Sequence, residues 1–158
     1  MMTRSVAGPR KFALDTNLYI RAFRDPAAQE ALVRFHAAFA PFEYMSVVVA
    51  QELRAGTRRP ADRARLEREL LGVFERTGRV VTPSRQAWND SGDLLAELAA
   101  KDGLEPGWVS KAFGNDVLLG LSCREAGLTL VTDNLADFER ISRIVPVPYL
   151  APWPDALS

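Results

Sequence analysis

Four acidic side chains sit where predicted strands end or predicted helices turn inward. They are Asp15 in Leu14-Asp15-Thr16-Asn17, Glu52 in Gln51-Glu52-Leu53, Asp116 in Asn115-Asp116-Val117, and Asp133 in Thr132-Asp133-Asn134. One of them alone would be a helix cap or a surface charge. Together they suggest a carboxylate cluster, and two such charges about 5 Å apart repel by roughly 3 kcal/mol at an effective dielectric near 20. Several pairs would offset much of a domain's marginal stability. A divalent cation relieves that repulsion, and an all-oxygen donor set favours Mg²⁺ or Mn²⁺.

The chain pattern says how distant acids would meet. Short apolar strands alternate with helices: a strand at 12–14, helices over 17–23 and 27–40 (the second opened by Pro26), and a strand at 42–45. Ser46 caps a helix over 47–55 that Gly56 stops. An Arg/Glu-rich helix over 62–77 follows, then a strand at Val80-Val81, a helix over 84–100 and a glycine- and proline-bearing loop over 102–114. A helix over 115–126, a strand over 128–132, a helix over 135–142 and a strand over 144–147 complete the series. Strands separated by helices predict a parallel, helix-flanked α/β sheet of four to five strands in three layers. In such sheets ligands gather beyond the carboxyl ends of the strands. Asp15 and Asp133 each follow a strand directly, so both belong at that edge.

Each acid has a plainer reading. Asp15, Thr16 and Asn17 all cap helices well, although a capping carboxylate keeps lone pairs for an ion. Glu52 falls at helical spacing between Val48 and Val49, inside the apolar arc, where a carboxylate is costly unless paired or metal-bound; otherwise it is an edge glutamate reaching solvent or an arginine. Asp116 would sit at a helix start behind an Asn115 cap and favour the helix dipole, and its stripe continues through Leu119, Gly120 and Cys123, small enough for close helix approach. Asn134 is a candidate N-cap with Asp137 in the capping-box position. Either Asp133 or Asn134 would face the cluster.

Other chemistry recedes. The sole histidine, His36, shares a helical face with Leu32, Phe35 and Phe39 and reads as a core or boundary residue, and the sole cysteine, Cys123, has no histidine partner. No disulfide framework, thiolate metal site or glycine-rich phosphate loop is present. Trp88 is expected to pack, and Trp108 to cover a core edge or stack on a base. Net charge is zero, so bulk electrostatics would not hold nucleic acid. All but three of the 20 basic side chains (Lys11, Lys101 and Lys111) are arginines, a bias that genome composition also explains. Arg63–Glu67 and Arg65–Glu69 pair at i,i+4 on a solvated face, leaving Arg54, Arg58 and Arg59 for phosphate. With no secretory or membrane-spanning apolar run, a cytoplasmic protein is expected. Its organisation would be a flexible segment 1–10, a single domain over 11–148 and a proline-rich tail over 149–158.

With these residues in hand, the chain resembles the PIN-domain ribonucleases, and among them the VapC-type toxins of bacterial toxin–antitoxin pairs. The resemblance rests on Leu14-Asp15-Thr16-Asn17, on Ser46 through Glu52-Leu53 with Gly56 after it, on Asn115-Asp116-Val117-Leu118-Leu119, and on Gly127 through Phe138. It covers roughly residues 11–145. It implies a PIN-like fold and Mg²⁺ or Mn²⁺ held by Asp15 and Asp116, with Glu52 completing the pocket. The family's fourth polar position falls on Asn134, with Asp133 as a substitute through a loop shift. Thr16, Asn17 and Thr132 would hold the carboxylates. The resemblance further implies a homodimeric endoribonuclease neutralised by a VapB-like antitoxin. Two other readings are a non-catalytic RNA- or protein-binding module of the same fold and a metal-dependent phosphohydrolase of small phosphoesters.

Overall fold

A computed structural model of the 158-residue chain describes residues 10–103, 107 and 109–154. The polar segment 1–9, residues 104–106, Trp108 and the last four residues of the proline-rich tail lie outside them. Five strands form one all-parallel sheet in the order β3-β2-β1-β4-β5. They are β1 (Lys11–Leu14), β2 (Glu43–Ser46), β3 (Val80–Val81), β4 (Leu128–Val131) and β5 (Tyr149–Leu150). The chain runs outward from β1 through β2 to β3, then crosses to the other side of β1 for β4. The switch point therefore lies between β1 and β4, whose register pairs Leu14 with Val131. Asp15 and Thr132, the next residues along, emerge side by side at the carboxyl edge, where ligand sites of such sheets form.

Burial on both faces explains why the central strands are continuously apolar. Phe12, Ala13 and Leu14 of β1 and Leu128, Leu130 and Val131 of β4 are all 1% exposed or less. Phe12 stacks edge-on against Phe39 at 4.9 Å and Phe35 at 5.8 Å, tying the sheet to helix α2 (Pro26–Phe39).

The remaining helices are α1 (Thr16–Arg24), α3 (Val47–Gly56), α4 (Pro60–Leu66), α5 (Gly72–Arg76), α6 (Arg85–Asp102), α7 (Lys111–Ala126) and α8 (Leu135–Ser142). The expected single helix over 62–77 is interrupted by a π-helical turn at Glu67–Leu71. There the Gly72 N–H bonds back to the Glu67 carbonyl, and a Cβ at residue 72 would lie 2.6 Å from that oxygen. The sequence placed the last strand at 144–147, but it forms at Tyr149–Leu150. Pro146 and Pro148 lack the N–H a ladder needs, and only the Pro148 carbonyl joins, accepting from Leu130 N at 2.9 Å.

One boundary shift bears on function. The sequence put a loop over 102–114 and a cap at Asn115, yet α7 begins at Lys111, with Ser110 Oγ accepting from Phe113 N at 3.1 Å. Ser110 is the better cap because its hydroxyl satisfies an end N–H, and Gly114 is tolerated inside the helix at a cost of about 1 kcal/mol. Asp116 thus lies in the second turn, and neither capping nor the helix dipole accounts for it. Gly120 lets α7 close on α8: a Cβ there would stand 3.3 Å from Phe138 and Val147.

Candidate active site

Asp15 ends β1 and is 5% exposed. It does cap α1, through Thr16 N at 2.8 Å to Oδ1, while its other oxygen, Oδ2, accepts from Thr132 Oγ1 at 2.8 Å. The Thr132 hydroxyl therefore bridges the two strand ends, and it also accepts from Asn134 N at 3.0 Å. Burial raises the Asp15 pKa, against the lowering effect of the Thr132 and Thr16 hydrogen bonds; the charge of Asp133 adds to the rise.

Glu52 reaches the same place from α3, which Ser46 starts by accepting from Val48 N at 3.1 Å. Its partner is a hydroxyl and not a cation: Thr16 Oγ1 donates to Glu52 Oε1 at 2.9 Å. Asp116 comes from α7 and is half-buried. Its Oδ2 accepts from Asn134 Nδ2 at 3.1 Å, and the same amide nitrogen donates to Asp137 Oδ2 at 3.0 Å. Burial, then the charges of Asp15, Asp137 and Glu52, push the Asp116 carboxyl up to about 7, only partly offset by Asn134.

These side chains line one cavity of about 220 Å³, together with Asn17, Ser110, Ala112 and Phe113. Four carboxylates face it, and no Lys, Arg or His among the described residues lines it. Hydroxyl and amide donors hold the acids in place but cannot neutralise them, so the pocket is left with a negative field that a cation would relieve. Among the described residues, no group of three or more His, Cys, Asp or Glu stands in ligating geometry for an ion. The donor chemistry is still that of Mg²⁺ or Mn²⁺, since Mg²⁺ commonly takes one or two carboxylates and completes its shell with water.

No protein-family model and no curated protein matches the sequence. Solved structures do. A chain of the DNA-bound VapBC from Salmonella typhimurium matches with a TM-score of 0.65 at 24% identity, over 90% of this chain and 98% of that one. FitAcB from Neisseria gonorrhoeae gives 0.64 at 21% identity, over 90% and 98%. VapBC-1 from nontypeable Haemophilus influenzae gives 0.60 at 22% identity, over 89% and 96%. The fold is PIN-like. Such likeness establishes the architecture, and the chemistry has to be argued from the residues.

The PIN-like frame brings together Asp15, Glu52, Asp116 and Asn134, with Thr16, Asn17 and Thr132 beside them. It does not bring Asp133 to the cavity: that carboxylate pairs with Arg21 of α1. Asn134 begins α8 without a side-chain capping bond; its Nδ2 donates to Asp116 and Asp137 instead. Asp137 is the acid that sequence reasoning missed as a pocket residue. Its position in the first turn of α8, at i,i+4 from the buried Ile141 and so at the edge of the inward face, was the available signal.

Arg54 is not free for phosphate, since it forks onto Glu67 at 2.7 and 3.0 Å and reaches Glu75. Arg58 and Arg59 have no acidic partner among the described residues. Trp88, expected to pack, is 59% exposed. His36 is a boundary residue bonded to buried Glu43, which also accepts from Tyr19 Oη at 2.8 Å. Cys123 is core, and burial with the Asp15 charge pushes its thiol up to about 12.

Proposed function

We propose that this protein is a Mg²⁺- or Mn²⁺-dependent endoribonuclease that hydrolyses RNA phosphodiester bonds as the toxin of a VapBC-type pair. The observation that carries the reading is a cavity where Asp15, Glu52, Asp116 and Asp137 converge, held by neutral donors and lined by no basic side chain among the described residues. Asp15 and Asp116 are the principal ligands, and Asn134 and Asp137 act on Asp116. A bound Mg²⁺ or Mn²⁺ supplies Lewis acidity at the phosphate and charge stabilisation at the leaving 3′ oxygen.

The chain's own groups do the rest. Glu52, with Oε1 anchored by Thr16, keeps Oε2 to orient the attacking water and accept its proton. Thr132 holds Asp15 fixed and, through Asn134 N, sets the loop that carries the Asn134 amide. That amide keeps one Asp116 oxygen aimed at α8 and leaves the other to the cavity. Arg58 and Arg59 contact the substrate backbone.

That the matched structures are VapBC and FitAB complexes supports a small VapB-like antitoxin as the partner; a homodimeric toxin is a further part of the proposal. Asp15→Asn and Asp116→Asn are each expected to abolish Mg²⁺-dependent cleavage of RNA while leaving melting unchanged or raised. A variant that stays active removes that residue from the mechanism. Calorimetry with Mn²⁺ separates this reading from a non-catalytic module, which would take up no ion.

A further inference from the structure

A second and larger cavity, about 560 Å³, opens between α1 and the α3–α4 corner. Glu52 lines both cavities, so the larger one runs directly off the acidic site. Its wall is apolar at Ile20 and Leu53, and Phe23 at its rim is 59% exposed. Arg24, Arg58 and Arg59 also line it. Among the described residues these three have no acidic partner, whereas Arg21, Arg54, Arg63, Arg65 and Arg68 all form ion pairs. Of the acids facing the same space, Glu69 is already taken by Arg65 and Arg68, which leaves Asp62 and Glu52. The groove therefore holds three unpaired guanidinium groups against two carboxylates, around an exposed aromatic ring.

We propose that this groove seats the unpaired nucleotides of RNA that flank the scissile phosphate, with Phe23 stacking on a base and Arg24, Arg58 and Arg59 meeting successive phosphates. The proposal rests on the nuclease reading of the acidic site and assigns the path by which substrate reaches it. A positive groove combined with an aromatic platform binds single strands with little sequence preference. The volume falls within the range of about 300–1,000 Å³ typical of cavities for drug-sized ligands, enough for a nucleotide or two. An apolar peptide is the poorer occupant, because it brings no anion to guanidinium groups that outnumber the carboxylates beside them. A duplex would keep its bases stacked away from Phe23.

The test uses the full chain with a labelled oligouridylate of about ten nucleotides, in buffer without divalent ions so that nothing is cut, read by fluorescence anisotropy. Single-stranded oligonucleotide is expected to bind more tightly than a duplex of equal length. Phe23→Ala should weaken binding about tenfold, and Phe23→Trp should restore it. The double variant Arg58→Gln/Arg59→Gln should weaken it and lower the slope of log affinity against log salt by about 1.4, two phosphates at roughly 0.7 each for a single strand. All three positions are exposed, and circular dichroism verifies that each variant is folded. The proposal is overturned if the wild type fails to bind the single strand, prefers the duplex, or binds no better than the variants. It is equally overturned if the variants keep RNA affinity but lose a co-expressed small protein partner, which would make the groove a protein-docking surface. Cleavage by the Asp116→Asn variant tests the parent reading separately: persistent cleavage sinks the acidic site and leaves the metal-free binding result standing.

Discussion

Replacing Asp116 with asparagine should stabilise the metal-free protein, and by more as the pH rises. The wild-type carboxyl is raised from its ordinary 3.8 to about 7, by burial first and then by Asp15, Asp137 and Glu52. Between those values the folded state holds a proton that the unfolded chain has released, so stability falls as pH climbs through the window. At full effect the penalty approaches about 4 kcal/mol at pH 8 and about 2 kcal/mol at pH 5. Asp116 is only half-buried, and solvent screening brings these to roughly 2 kcal/mol and under about 1 kcal/mol. Asparagine removes the charge and keeps an oxygen for Asn134 Nδ2 to reach. Urea denaturation at the two pH values should therefore show the variant ahead by about 2 kcal/mol at pH 8, or about 4–8 °C in melting temperature. At pH 5 the gain should be less than half of that. Mg²⁺ should reverse the order, since an ion that binds only the folded wild type adds stability by mass action. A variant that is less stable at pH 8, or a gain that ignores pH, would refute the idea that mutual repulsion dominates this pocket.

Other perturbations test neighbouring steps. Thr132→Val removes the hydroxyl that bridges Asp15 and Asn134 N, leaving a buried carboxylate oxygen without a donor; denaturation should show a loss of about 1–3 kcal/mol. Asp133→Asn breaks an ion pair with Arg21 outside the cavity, so RNA cleavage should persist near the wild-type rate and stability should move by less than about 1 kcal/mol. Loss of cleavage would return Asp133 to the site. Gly120→Leu forces a side chain into space where even a Cβ meets Phe138 and Val147 at 3.3 Å, and should cost about 1–3 kcal/mol or more in a urea melt.

The strand-end acids could be found from sequence because strand ends obey a topological rule. Strands separated by helices put Asp15 and the Thr132–Asn134 turn at the carboxyl edge of one parallel sheet, and the β1–β4 register, which the sequence does not give, sets them side by side. The choice between Asp133 and Asn134 was not readable, because it depends on where Arg21 of α1 lies. Nor was Asp116 separable from a helix cap, since the start of α7 is decided by Ser110 and by how far Gly114 is tolerated inside a helix. Asp137 escaped for a related reason. A capping-box pattern at residues 134–137 satisfies every local rule, and nothing in it shows that Asp116 lies across the gap, where the Asn134 Nδ2 bridges it to Asp137. A donor shared by two crowded acids offsets part of their repulsion. The Nδ2 bridge at Asn134 is therefore itself a mark of the site: it joins two acids, from α7 and α8, that only the fold brings together.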